Sequence, residues 1–356
     1  MIVAPLVFLW WASGPGIGSL ESEFPVDPAT ARPLPVEAPE HLRVVSFNVA
    51  YGRGPENDIG DLRSGTEVRD YLDNIAAFIK NCGADIAALQ EVDFNANRSH
   101  FIDEAAYLAG KSGLEYCARI TTWQNNYIPY PYWPPSQQYG RTHSGQCVLS
   151  RFPLERNVRY VLPQPRANPW FYNLFYLHRS IQRVDALLGG GRRLRIFNVH
   201  LEAFDVPNKM EQARMLVARV RKEGTRSALI LGDFNCVPPE ATLKRGFPDE
   251  PETDLRGDET MDILRELKGY SDAIEATGAD RAEAEFFTFP AEAPNRRLDY
   301  LFFSEAGLTP RTARVAREAG AISDHLPVIA EFSWTGSSES EPYSGAEPMP
   351  ANGGDL

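Results

Sequence analysis

Three consecutive glycines, Gly189-Gly190-Gly191, separate two apolar β-branched runs, Ser180 to Leu187 and Leu194 to His200. Two strands joined by so short a glycine turn must lie antiparallel. Elsewhere short β-branched runs alternate with helical periods: Arg43 to Val49 as strand, Val68 to Asn81 as helix, Asp85 to Leu89 as strand. Further strands are predicted near Gln146 to Ser150, Ala228 to Leu231, Leu298 to Phe303 and Val328 to Phe332. A helix over Asn208 to Val220 sets Met210, Ala213, Leu216, Val217 and Val220 on one face. Alternation alone would give a parallel sheet, and the hairpin excludes an all-parallel, doubly wound one. The expected fold is α/β, with mixed sheets packed face to face and helices outside. No internal repeat is visible.

The size of that fold follows from where the pattern stops. Glu23 to Pro39 is rich in Pro, Ala and acidic residues without a hydrophobic period and reads as a linker, while Thr335 to Leu356 has almost nothing to bury and is expected to be disordered. The expected folded domain is therefore 41–334, preceded by 1–40 and followed by a tail, 335–356. With 43% hydrophobic and 11% aromatic residues the chain has ample material for a core. Ile2 to Ala12, with Trp10 and Trp11, is apolar yet too short to span a bilayer. It lacks the preceding Lys or Arg of a signal peptide, so two readings stand: an export signal with a misassigned start, which is favoured, or an arm packed on the domain. No lipobox cysteine is present there. Cys82, Cys117, Cys147 and Cys236 have neither zinc-site spacing nor the number for a disulfide framework.

A formal net charge of −12 argues against gripping nucleic acid through the overall field. The densest basic run, Arg192, Arg193 and Arg195, follows the glycine turn and reads as a solvated hairpin. Two segments break the rhythm: Thr122 to Gly140, carrying Trp123, Tyr127, Tyr130, Tyr132, Trp133 and Tyr139, and Leu162 to His178, carrying Trp170, Phe171, Tyr172, Phe175 and Tyr176. Long loops of this aromatic content are expected to be ordered, and either to serve a ligand or to pack on the sandwich.

Candidate chemistry gathers where apolar runs end. Asn48 closes Val44-Val45-Ser46-Phe47, Glu91 follows Ile86 to Leu89, His200 closes Phe197-Asn198-Val199, and Asp233 and Asn235 follow Ala228 to Leu231. Asp299 lies in Arg297-Leu298-Asp299-Tyr300, and Asp324-His325 precedes the last strand. Alone, each has a bland explanation: a strand-end turn, a cap, an Asx turn, a surface pair. Together they supply what phosphoester hydrolysis needs, namely hard oxygen ligands for a divalent cation, an orienting group for water and donors to phosphoryl oxygens. Glu91 suits Mg²⁺, and Asn48 suits metal or phosphate. Asp233 and Asn235, two apart, would share a face if the backbone stays extended. Asp299 would fix the tautomer of His325.

In chain order, Ser46-Phe47-Asn48-Val49, Leu89-Gln90-Glu91-Val92, Asn198-Val199-His200-Leu201, Gly232-Asp233-Phe234-Asn235, Leu298-Asp299-Tyr300 and Ser323-Asp324-His325 resemble the endonuclease/exonuclease/phosphatase superfamily. The resemblance covers nearly the whole expected domain and implies a four-layer α/β sandwich. It also implies Mg²⁺ (or Mn²⁺) at Asn48 and Glu91, with Asp324 assisting. His200 and Asn235 would bind phosphate, Asp233 would orient or deprotonate water, and Asp299 with His325 would form an acid/base pair. Whether Asp233 or His325 is the base stays open. One departure stands out. Deoxyribonuclease-like members place a carboxylate before the strand matching Val148-Leu149-Ser150, paired with the His200 equivalent. Here that stretch is His143-Ser144-Gly145-Gln146-Cys147, without an acid, and it resembles the glycine-containing form of sphingomyelinase-like and bacterial branches, with Gly145 near the cleft.

The leading expectation is a divalent-metal phosphodiesterase acting, as a monomer, on a lipid or other small phosphoester, with peripheral membrane contact through the aromatic segments. The alternatives are a nuclease, for which Arg141, His143, Arg166 and Arg179 would form a basic stripe, and a non-catalytic binding protein on the same fold.

Overall fold

The computed structural model describes residues 3–27, 34–55, 62–278 and 280–335. Fourteen strands form two sheets of seven. In chain order they are β1 (Glu21–Phe24), β2 (Val26–Asp27), β3 (His41–Asn48), β4 (Ile86–Asp93), β5 (Tyr116–Ile128), β6 (Gly140–Ser150) and β7 (Leu154–Val161), then β8 (Ser180–Gly189), β9 (Arg192–His200), β10 (Ala228–Asp233), β11 (Tyr270–Asp272), β12 (Asp299–Ser304), β13 (Leu308–Val315) and β14 (Val328–Trp334). The first sheet runs β1-β7-β8-β9-β10-β12-β11 and the second β13-β14-β3-β4-β6-β5-β2. Each is mixed: β9 and β10 are parallel in the first, β3 and β4 in the second, and the remaining neighbours are antiparallel. The glycine hairpin is β8 and β9, with Ser180 opposite His200.

The helices are α1 (Val3–Ser13), α2 (Gly65–Asn81), α3 (Glu104–Ser112), the single turn α4 (Trp170–Asn173), α5 (Val206–Lys222), α6 (Thr260–Arg265) and α7 (Ala273–Gly278). They pack around the sheets, α2 and α3 on one outer face and α5 and α6 on the other. Strand alternation sorts the side chains into layers. Val44, Ala88, Val148, Ile196, Leu229, Leu231 and Leu301 meet between the sheets. Their neighbours Val45, Ala87 and Leu89 turn outward onto Leu72, Ile75 and Leu108 of α2 and α3. On the opposite side Phe197 and Ile230 pack on Ala213, Leu216 and Val220 of α5. The result is a four-layer α/β sandwich, as the resemblance implies.

Helix α2 begins three residues earlier than its hydrophobic period, because Ser64 accepts from the Glu67 amide at 3.3 Å while Glu67 accepts from the Ser64 amide at 2.8 Å. Such a reciprocal capping box satisfies two orphan donors of the first turn. Helix α5 is capped by Asp205, which accepts from the Asn208 amide at 2.8 Å.

Three expectations change. Part of the stretch read as linker supplies β1 and β2, which pair with β7 and β5 and extend both sheets. The segment from Thr122 is strand as far as Ile128, since β5 pairs with β6 across its length in spite of two register shifts. Strands β7 and β13 lie in stretches to which no element was assigned. The apolar N-terminal segment is helical and lies on the end of β5: Asn126 donates to the Trp11 carbonyl at 2.9 Å, Asn125 to that of Ser13 at 3.1 Å, and Trp11 stacks on Tyr127. Among the described residues no helix is long and apolar enough to cross a membrane. The expected disordered tail lies, beyond Thr335, outside the described residues.

Candidate active site

The topology explains why six motifs far apart in sequence meet. In each sheet the parallel pair ends at the same edge, so Asn48 and Glu91 emerge beside each other in one sheet, His200 and Asp233 in the other. The antiparallel strands β12 and β14 begin at that edge, which adds Asp299 at the start of β12 and Asp324-His325 just before β14. In register, Asp233 lies between His200 on one side and Asp299 on the other.

Below this edge the sheets are pinned by a buried amide relay. Gln90 donates to Asn198 at 2.7 Å, and Asn198 donates in turn to Gln182 at 3.0 Å and to the Leu89 carbonyl at 3.1 Å. Gln90 and Asn198 belong to the Leu89-Gln90-Glu91 and Asn198-Val199-His200 motifs. Their role is to set the distance between the strands that carry Glu91 and His200, a requirement the motifs alone do not reveal.

Two glycines allow the close approaches that aim the carboxylates. A Cβ on Gly232 would lie 1.9 Å from the Val199 carbonyl oxygen, so only glycine lets β10 run against β9 just before Asp233. A Cβ on Gly145 would lie 1.8 Å from the Ile120 carbonyl oxygen. Gly145 sits within the sheet, opposite Val92 and so one residue from cleft-lining Glu91, directly after the β-bulge that holds Glu91 at φ 55°. A non-glycine residue at positive φ is costly and clusters at functional sites, and here the bulge turns Glu91 toward His200 of the first sheet.

Across the cleft, His325 Nδ1 lies 2.8 Å from Asp299 Oδ2 and His325 Nε2 lies 3.7 Å from Asp233 Oδ2. Asn48 donates to Asp233 Oδ2 at 3.1 Å, and its own Oδ1 accepts from the Ala50 amide. His200 Nε2 is 3.4 Å from Asp233 Oδ2 and 3.6 Å from Glu91 Oε1. Asp233 and Asn235 do not share a strand face. The strand ends at Asp233, Asn235 has φ 51°, and its amide N–H donates to Asp233 Oδ1 at 2.9 Å in an Asx turn that brings the Asn235 side chain back to Asp233 and Leu201. Lys209 of α5 donates to the Asn235 carbonyl and pairs with Asp258 at 2.9 Å, fastening the turn.

Glu91, His200, Asp233, Asn235, Asp324 and His325 line one cleft of about 250 Å³. Burial dominates its electrostatics. It raises the carboxyls of Glu91, Asp233 and Asp324, the latter two to about 6, and neighbouring carboxylates add to it, Asp233 at Glu91 and Glu91 at Asp324. Burial also opposes charge on both imidazoles, with opposite outcomes. His200 is pushed well below its ordinary range by burial and by Arg179, whereas at His325 the carboxylates of Asp299 and Asp233 outweigh burial and hold it well above. Asp299 keeps one buried oxygen without a hydrogen bond.

Several cleft residues carried no sequence signal. Arg98 is buried in a bidentate pair with Asp93, at 2.9 and 3.0 Å, beneath the Tyr51 ring, with Trp123 and Tyr139 beside it. Of the four residues expected to form a basic stripe, only Arg179 lines the cleft. Arg166 pairs with Glu211 on the surface, and His143 meets Thr121 and the Phe94 ring. The aromatic segments divide: Trp123 is buried, Tyr139 is half-buried, and Tyr132, Trp133, Trp170 and Phe171 stand in solvent.

Two mixed sheets with a cleft of converging carboxylates, imidazoles and amides at one edge define the phosphoesterase- or nuclease-like α/β sandwich. The chain belongs to the Endonuclease/Exonuclease/phosphatase family, whose sequence pattern it matches over residues 45–325. Members of that family are hydrolases of phosphoester bonds and are in general divalent-metal dependent. No curated protein matches the sequence. Among solved structures, an endonuclease/exonuclease/phosphatase from Beutenbergia cavernae is 20% identical, with a TM-score of 0.61 over 84% of this chain and 72% of its own. A mannosyl-6-phosphatase of Bacteroides thetaiotaomicron is 16% identical, with a TM-score of 0.52 over 82% and 99%. The human Nocturnin catalytic domain with bound sulfate is also 16% identical, with a TM-score of 0.51 over 83% and 94%. At these identities the likeness is one of fold.

Proposed function

We propose that this protein is a divalent-metal-dependent phosphoester hydrolase in which water attacks phosphorus directly. The observation that carries this reading is the meeting of Glu91, Asp233, Asp299, His200 and His325 across two sheets, within the distances given above, beside Asp324 in the same cleft.

Glu91 and Asp324 fit a hard cation. Desolvation raises the proton affinity of both, nearby carboxylates raise it further, and a divalent ion would relieve that repulsion with the oxygen ligands it prefers. Asn48 turns its NH₂ toward Asp233, so it serves to hold the carboxylates apart as much as to bind metal. When bound, the ion would act as a Lewis acid on the phosphoryl oxygen. Asp233, flanked by Asn48, Asn235 and His325, is placed to take a proton from the attacking water. His325, charged and held by Asp299, is placed to give one to the leaving oxygen. Asn235 and the wall carrying His200 face the phosphoryl oxygens. Through its Oδ2, 2.8 Å from His325 Nδ1, the Asp299 carboxylate orients the ring.

The proposed substrate is a lipid or another small phosphoester. Exposed Phe204 lines the cleft, and Tyr132 reaches it through edge contacts to Tyr130 and from Tyr130 to Tyr139. Aromatic side chains of this kind suit a headgroup layer. The test is hydrolysis of sphingomyelin vesicles and of supercoiled DNA side by side with Mg²⁺ or Mn²⁺, with Asp233→Asn as the blank. Phosphocholine release alone supports the lipid reading, nicking above the blank replaces it with a nuclease, and neither activity in folded, metal-replete protein removes the proposed substrate class.

A further inference from the structure

Arg179 is a cation of the cleft lining whose charge has no role in the reading above. Arg179 is the residue before β8, and the pairing of Ser180 with His200 carries it to the side of the imidazole. Its Nη1 contacts His200 Nε2, and it is 5% exposed, with its open side on the cleft shared with Glu91, Asp233, Asn235 and His325. The nearest carboxylate, Glu202, stands 3.8 Å from Arg179 Nε. The two do not hydrogen-bond: Arg179 Nε and Glu202 Oε2 are both buried without a partner. Glu202 instead spends its other oxygen on the Tyr176 hydroxyl at 2.7 Å and the Phe204 amide at 3.1 Å.

A guanidinium taken out of water without a bidentate carboxylate is costly. Arg98, in the same cleft wall, shows the usual remedy in its two bonds to Asp93. Arg179 lacks that remedy and meets an imidazole nitrogen instead. A nitrogen that accepts from guanidinium leaves the ring proton on Nδ1, so His200 cannot also present a charged donor from Nε2.

We infer that Arg179, rather than His200, is the charged donor to the non-bridging phosphoryl oxygens, with His200 as the neutral residue that positions the guanidinium. The inference rests on the phosphoester reading. A planar fork matches two phosphoryl oxygens, and a fixed cation there compensates charge that grows in the transition state. No bond is made or broken by Arg179 itself.

The experiment uses the full chain, with Arg179→Gln, Arg179→Lys and His200→Gln. It has two arms: calorimetric binding of inorganic phosphate with Mn²⁺ present, and hydrolysis of bis-p-nitrophenyl phosphate. Arg179→Gln is expected to lose about 10²–10³ in kcat, the usual effect of removing one oxyanion donor, and at least about tenfold in phosphate affinity. Added guanidinium ion restores part of its rate and methylammonium does not. Arg179→Lys, which keeps charge without the fork, falls between and is read in its place if the Gln variant does not fold. His200→Gln keeps phosphate affinity within about threefold while kcat falls. Wild-type phosphate affinity in Arg179→Gln, absence of guanidinium rescue, or loss of affinity in His200→Gln with none in Arg179→Gln overturns the inference. Because phosphate binding needs no turnover, an inert wild type that binds phosphate through Arg179 would fail the hydrolase reading and leave this one standing.

Discussion

Asp299 and His325 join the two sheets: Oδ2 of a β12 residue lies 2.8 Å from Nδ1 of a residue entering β14. The contacts of Asn48 with Asp233 and of Glu91 with His200 also cross from one sheet to the other. The site therefore exists only while the sandwich is closed.

Replacing Asp299 by Asn is expected to lower kcat by about 10²–10⁴, the usual range for a positioned proton donor, without unfolding the protein. The charge that holds His325 above its ordinary range is lost, so the alkaline limb of the pH–rate profile moves toward neutrality. A profile that keeps its alkaline limb would separate His325 protonation from catalysis.

Asp233 must be ionised to accept a proton, and burial raises its carboxyl to about 6, so the rate should rise with pH through that value. The stability effect has the opposite sign. A carboxyl whose folded pKa is raised binds its proton more tightly in the native state, so its contribution is present at low pH and lost as pH rises through about 6. Asp233→Asn should abolish turnover, yet in EDTA it should melt higher than wild type at pH 8 and close to it at about pH 4, below the window between the ordinary and raised values. Thermal melts at the two pH values, with and without chelator, check both parts.

Metal and protons compete for Glu91 and Asp324. Mn²⁺ affinity, read by calorimetry, should therefore fall as pH drops below about 6, where Asp324 protonates. Glu91→Gln should raise the metal concentration for half-maximal rate by about 10-fold or more, comparable to losses on altering a metal shell. Unchanged metal dependence would remove Glu91 from the ligand set.

Gly232→Ala should destabilise the fold by more than the few tenths of a kcal/mol common at surface sites, because its Cβ meets the Val199 carbonyl at 1.9 Å. Residual activity at low temperature should fall as well, since relief of the clash shifts β10 and with it Asp233. A chemical denaturation series against a control such as Gly246→Ala, whose Cβ would meet nothing within 4 Å apart from positive-φ strain, isolates the steric part.

Much of this arrangement was legible in the residues. The hairpin at Gly189-Gly190-Gly191 forces a mixed sheet, and strand-end positions select Asn48, Glu91, His200, Asp233, Asp299, Asp324 and His325. What stayed hidden depends on contacts between distant segments. Arg179 was named only as one of four residues of a basic stripe, although counting back from the glycine turn sets it beside His200. Gln90 and Asn198 stood inside the quoted motifs, but their amides meet only when the sheets pack. Asn235 was placed by assuming an extended backbone, whereas the peptide turns left-handed to let its N–H reach Asp233. Strands β1 and β2 were read as linker because edge strands need one pairing partner and little burial, so they leave no hydrophobic period.

The most direct test of the central claim is a metal titration of phosphate ester hydrolysis by the full chain, after stripping with chelator, against Asp233→Asn. Both bis-p-nitrophenyl phosphate and p-nitrophenyl phosphate serve as substrates, which also separates diester from monoester chemistry. The account predicts no turnover without metal, saturable turnover of at least one ester with Mg²⁺ or Mn²⁺, and none above background in the variant. Folded, metal-replete wild type that hydrolyses neither ester faster than Asp233→Asn would contradict it.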